Sequence, residues 1–161
     1  MKKHIYILCA IVLFCLNLYA QSNKPNVKLE QLVGTTWLNE TDEECWILDF
    51  VTTESMVSKI YFKEDKEESE HKLEYYLSEK PLLNYDVESF DSHNIGKALN
   101  GKYIIIRSTH IFEHPIKKVF KLVDYYYIES IDNDELKLFH KTKPKSVGGR
   151  DISITFKRMK K

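Results

Sequence analysis

Alternation with a period of two most constrains what this chain can fold into. In "DISITFKRM" (Asp151 to Met159), Ile152, Ile154 and Phe156 share one parity, while Ser153, Thr155 and Lys157 share the other. Successive side chains of a strand point to opposite faces, so this is the pattern of a half-buried β-strand. Leu136 and Leu138 behave in the same way in "ELKLFHK", and His140 continues their row. Ile104 and Ile106 form such a row in "KYIIIRS", continued by Ser108. Tyr126 and Ile128 form one in "YYYIESI", continued by Ser130, and Met56, Ser58, Ile60 and Phe62 form one in "MVSKIYF". Three places are apolar on both parities: the Tyr103-Ile105-Arg107 register of "YIIIRS", the tyrosine triplet and "CWILDF".

Turn signals separate these runs at short intervals. "TTES" precedes Met56, "DND" precedes Glu135 and "SVGGRD" precedes the last strand. Asn100-Gly101 is a strong hairpin signal, since a type I′ turn needs positive φ at both central residues. We expect Asn100-Gly101 and Gly148-Gly149 to lie in turns. The charge run "KEDKEESEHK" (Lys63 to Lys72) reads as a solvated hairpin loop before a short strand, "LEYYL". "KKVFKLV" (Lys117 to Val123) and Tyr125 to Ile131 read as two strands, and an edge strand is placed near Tyr85 to Glu88. About eight to ten short strands with little helix and no repeat predict an all-β antiparallel barrel or sandwich.

The first 20 residues stand apart from this pattern. "MKKHIYILCAIVLFCLNLYA" has a basic start, an apolar run from Ile5 to Leu18 and a small residue, Ala20, before polar "QSNKPN". This predicts a secretory signal peptide over 1–20 and a single domain over 21–161, exported to the periplasm or beyond. Leu8 and Phe14 precede Cys9 and Cys15 and are too large for a lipoprotein signal, so no lipid anchor is expected. No membrane association is expected after cleavage.

Composition narrows the function. The chain has 24 basic and 24 acidic side chains; without Lys2 and Lys3 the balance is 22 to 24, which implies no basic face and no nucleic-acid partner. Cys45 is the one cysteine outside the leader, so a disulfide framework is excluded and Cys45 is expected to be a small buried residue. Core burial must hold the fold together.

"VKLEQLVG" predicts one helical turn stopped by Gly34, and "LVGTTWLNE" then opens the first barrel strand with Trp37. Arg158 shares parity with Ile152, Ile154 and Phe156 and so points inward at the end of the last strand. In a closed barrel that strand pairs with the first, which sets a guanidinium against the indole. Gly34, Trp37 and Arg158 would together form a barrel floor.

This arrangement, "GTTW" with "ITFKRM", resembles the lipocalin-like, calycin-type group. It looks most like the small secreted β-barrel domains of Bacteroidetes-type bacteria. The sequence departs from the lipocalins proper in its Gly-x-x-Trp spacing and in having no long helix pattern after the last strand. The resemblance implies an up-and-down barrel whose interior holds a small ligand.

No catalytic motif is present, and an enzyme is not expected. "HIFEH" (His110 to His114) has the letters of a zinc-protease signature. It follows a strand, and Pro115 comes directly after it, against a helix. On a strand its two histidines would stand about 13 Å apart, too far for one metal ion. "ETDEE" (Glu40 to Glu44) lacks the alternating pattern of a calcium loop and reads as a solvated connection. No metal and no cofactor is implied. The candidate ligand-binding residues are Tyr126, Ile128, Leu138 and His140 in the barrel interior. Ser130 is expected near one mouth and His140 near the other, with Trp37 and Arg158 closing the floor and the pocket opening at the His140 end. Two functions follow: a carrier of a small, mainly apolar molecule, or a solid barrel that contacts a protein or a glycan through loops or an edge. An inner face crowded with Trp, Phe and Tyr would favour filling.

Overall fold

The computed structural model describes residues 26–112, 117–141 and 151–160. Residues 1–20, where a signal peptide is expected, lie outside the described residues, as do His114, Gly148-Gly149 and Arg150. Eight strands close into an antiparallel barrel: β2 (Thr35–Glu40), β3 (Glu44–Phe50), β4 (Ser55–Phe62), β5 (Glu67–Ser78), β7 (Tyr103–Phe112), β8 (Lys118–Ile131), β9 (Glu135–His140) and β10 (Ile152–Arg158). Each pairs with the next, and β10 returns to β2 through Lys157↔Leu38 and Arg158↔Trp37. This is one of the two architectures expected from the alternation, the barrel, in the up-and-down order that the resemblance implied. Two short strands, β1 (Val27–Lys28) and β6 (Asn100–Gly101), pair outside the barrel.

The inward rows carry the core. Trp37, Phe50, Tyr75, Leu77, Ile104, Ile128, Leu136, Leu138 and Phe156 are fully buried or nearly so. A 3-10 turn at Leu29–Gln31 lays Leu29 and Leu32 into the same cluster, beneath Trp37. Gly34 leaves that turn at φ +75, a backbone conformation that favours glycine, and its N–H donates to the Phe50 carbonyl at 2.7 Å.

A second apolar layer lies outside the barrel wall. The connection from 79 to 99 crosses the outer face of β5, β7 and β8, where Phe90 packs on Tyr76, Ile105 and Val123. Arg107 reaches over the Phe90 ring at 4.3 Å and pairs with Glu74 at 2.7 Å. Both parities of "YIIIRS" are apolar because both are buried: Ile104 and Ile106 face in, while Tyr103 and Ile105 lie under this connection.

Several expectations need correction. The charge run is a loop only over 63–66, and β5 begins at Glu67. Its outward charges pair across the ladder, with Lys59 Nζ 2.6 Å from Glu70, so they suit a strand rather than exclude one. β8 is continuous through Asp124, not two strands, because that carboxylate finds a partner in His140 without a turn. Residues 85–88 hold no edge strand; a 3-10 turn covers Val87–Ser89.

Asn100-Gly101 is not a hairpin turn. Gly101 does not have positive φ; it lies against Ser78, where only a hydrogen fits. Ser130 does not face the interior. A bulge between Ile128 and Ser130 shifts the β8–β9 register, so Ser130 is exposed and Ile131 takes the inward place. Cys45, on the outward row of β3, is half-buried rather than buried.

Candidate ligand cavity

The floor of the barrel is built from the residues that the sequence brought together. Trp37 is fully buried and its indole N–H donates to Thr35 Oγ1 at 2.6 Å. Thr35 Oγ1 donates in turn to the Leu32 carbonyl, tying the strand to the 3-10 turn. The Arg158 guanidinium lies 5.2 Å from the Trp37 ring centroid, and its Nη1 donates to the Asn133 carbonyl at 3.3 Å. Replacing Arg158 with Ala is expected to cost about 1–2 kcal/mol through lost packing and the cation–π contact. The exposed neighbour Lys157→Ala should stay within about 0.5 kcal/mol. Urea unfolding of the two variants checks this; equal losses would count against the floor contact.

Above the floor the interior is not filled. A cavity of about 120 Å³ runs from Phe50, Met56 and Ile104 up to Ser58, Ser108, His71 and His110. The aromatic side chains that promised to fill it lie along its edge instead. Trp46 leans across from β3 to meet Phe156 edge-on at 5.4 Å and Tyr126 at 6.2 Å, which closes one side. Leu48, Leu73, Ile106 and Leu138 complete an apolar wall. The cavity lies toward the mouth away from Arg158, the end at which β9 finishes at His140.

Its polar groups are concentrated on three adjacent strands. Ser58 on β4 is the direct cross-strand partner of His71 on β5, and Leu73 is that of Ser108 on β7. The His71 and His110 rings are 5.1 Å apart and tilted. Each uses its Nε2 on a serine of its own strand: His71 on Ser69 at 2.8 Å, His110 on Ser108 at 3.0 Å. Ser58 Oγ accepts the Trp46 indole N–H at 2.8 Å. The Tyr126 phenol is pushed up from its ordinary value by burial and by the Asp124 carboxylate, so it keeps its proton at neutral pH.

Of the four interior residues proposed from sequence, Tyr126 and Leu138 line the cavity. Ile128 is wholly buried in the core below it and is not part of its lining. His140 stands beside the lining rather than in it. Its Nε2 is 3.1 Å from both Asp124 carboxylate oxygens, and its ring is 5.0 Å from that of Tyr126. Trp46, His71 and His110 were not among the candidates. His110 continues the row of Ile104, Ile106 and Ser108, so its parity was readable; His71 was obscured by the charged residues around it.

Fold and site together define a closed eight-stranded antiparallel β-barrel with an internal cavity, polar on one wall. No protein-family model, no curated protein and no solved structure matches the chain.

Proposed function

We propose that this is an exported, lipocalin-like binding protein that holds a small, mainly apolar molecule inside the barrel. The observation that carries this reading is the cavity itself: about 120 Å³ with a largely apolar lining and a few placed polar groups. Small-molecule sites have this composition, and the volume, a little below the ~150 Å³ that holds a benzene ring, limits the enclosed part of the ligand to about one ring. The leader-like opening of the sequence supports export. The Trp37–Arg158 floor and the uninterrupted meander support the lipocalin-like reading.

An environment-sensitive naphthalene dye tests it. The wild type should bind the dye with enhanced fluorescence. Leu138→Trp, which pushes an indole into the cavity, should abolish the signal while leaving the far-ultraviolet spectrum unchanged. Absence of dye binding by the wild type would overturn the carrier reading.

One observation favours a second reading, a protein-interaction module. Ile111 and Val119 on one face, and Leu122 on the other, are exposed apolar side chains on the β7–β8 ribbon. Dye binding that survives Leu138→Trp and falls with Val119→Ser would favour this ribbon as the site.

A further inference from the structure

Four polar side chains face the cavity with hydrogen-bonding capacity that no described residue uses. Ser58 is 7% exposed, and its oxygen already accepts from Trp46, which leaves the hydroxyl proton to donate. Tyr126 lines the same space, and no described residue hydrogen-bonds to its hydroxyl. His71 and His110 have each committed Nε2 to a serine, so each keeps Nδ1. Every buried side-chain nitrogen and oxygen among the described residues has a partner, so these groups offer the cavity spare donors rather than an unmet need, and an acceptor carried by a ligand would engage them.

The charges around the cavity say what kind of acceptor this is. Among the described residues, no Lys or Arg lines it. At the mouth, Glu44, Glu67 and Asp124 continue the inward rows of Trp46, His71 and Tyr126, and Asp124 is the one paired with His140. Among the described residues, a carboxylate would meet acidic groups at the mouth and no fixed cation in the lining, and burying a charge without a partner is costly. An uncharged carbonyl needs only donors, and Ser58 and Tyr126 supply them.

Resting on the carrier reading above, we infer that the ligand is an uncharged molecule of about one ring in size that carries a carbonyl oxygen. The oxygen accepts a hydrogen bond from the Ser58 hydroxyl, and the apolar body lies against Leu48, Phe50, Ile104 and Leu138 toward the floor. Trp46 is a positioning residue: its indole N–H occupies the Ser58 oxygen and so turns the hydroxyl proton away from itself.

Three probes of similar shape separate the possibilities: acetophenone, ethylbenzene and benzoate, each titrated calorimetrically into the purified protein. Acetophenone should bind about tenfold more tightly than ethylbenzene, the worth of one net hydrogen bond. Benzoate should bind more weakly than acetophenone. In Ser58→Ala the ratio of ketone to hydrocarbon should fall to about one. Independently of any variant, the carbonyl stretch of acetophenone bound to the wild type should move to lower wavenumber than in hydrocarbon solvent. Equal binding of ketone and hydrocarbon, tightest binding of benzoate, or an unshifted stretch would each overturn the carbonyl assignment and leave the cavity as a binding site, and a ratio that persists in Ser58→Ala would overturn Ser58 as the donor. If neither neutral probe binds, the carrier reading falls and this inference falls with it.

Discussion

Gly101→Ala is expected to destabilise the protein by about 3 kcal/mol, at the upper end of what overpacking costs. A Cβ at this position would stand 2.5 Å from the Ser78 backbone nitrogen and 2.7 Å from its carbonyl oxygen. Neither atom can rotate away as a side chain could. Ser78 ends β5, and its carbonyl accepts the Lys102 N–H at 2.9 Å. Gly101 itself pairs with Val27, which is buried in the main core. The methyl group would therefore push apart the start of β7, the end of β5 and the cap beneath the barrel. Gly34→Ala is the contrast. Nothing lies within 4 Å of its added Cβ, so the cost there is the left-handed backbone alone, about 1 kcal/mol. Guanidinium unfolding of both variants measures the difference, and a Gly101 loss no larger than the Gly34 loss would refute the close approach to Ser78.

Trp37→Ala is expected to cost about 3–5 kcal/mol, the range for deleting a buried large aromatic side chain. The indole is wholly buried, and its removal empties the floor between Leu32 and Arg158 and leaves Thr35 Oγ1 without its donor. Stability of a domain this size is about 5–15 kcal/mol, so the variant should retain a fold with a much lower denaturant midpoint. The Arg158 contact is part of the same unit. In the Trp37→Ala background, Arg158→Ala should cost clearly less than it does alone, because the ring it packs on has gone. Strictly additive losses would mean that Arg158 stabilises the protein by some other contact.

The floor and the cavity do different things with the same building rule. At the floor every inward position is occupied: Trp37, Leu136 and Phe156 meet, and Leu32 seals them from below. Higher up, the inward positions of β4, β5 and β7 change to Ser58, His71, Ser108 and His110, which are smaller or polar, and the packing opens. On the proposed reading, the protein is stabilised at one end of its barrel and binds in the middle. Mutations at the floor should then lower stability without altering ligand preference, and mutations in the polar arc should do the reverse.

The sequence by itself determined most of the barrel strands and most of their inward rows. Side-chain direction reverses at each residue of an extended chain, so Ile152-Ile154-Phe156 and Leu136-Leu138 declared a common face without reference to any neighbour. Trp37 and Arg158 were legible as a pair because barrel closure joins the first strand to the last and parity then places both side chains inside. What the sequence could not determine are properties of several strands at once. The β8 bulge removed Ser130 from the interior, and such a shift depends on how β8 and β9 meet rather than on either alone. The burial of Ile105 on the outer face required the 79–99 connection to fold back over it. The meeting of His71 with His110 and of Ser58 with Trp46 is set by the registers of β3, β4, β5 and β7 together. Whether a barrel is filled or hollow is a sum over all its inward side chains, and only the tertiary structure performs that sum.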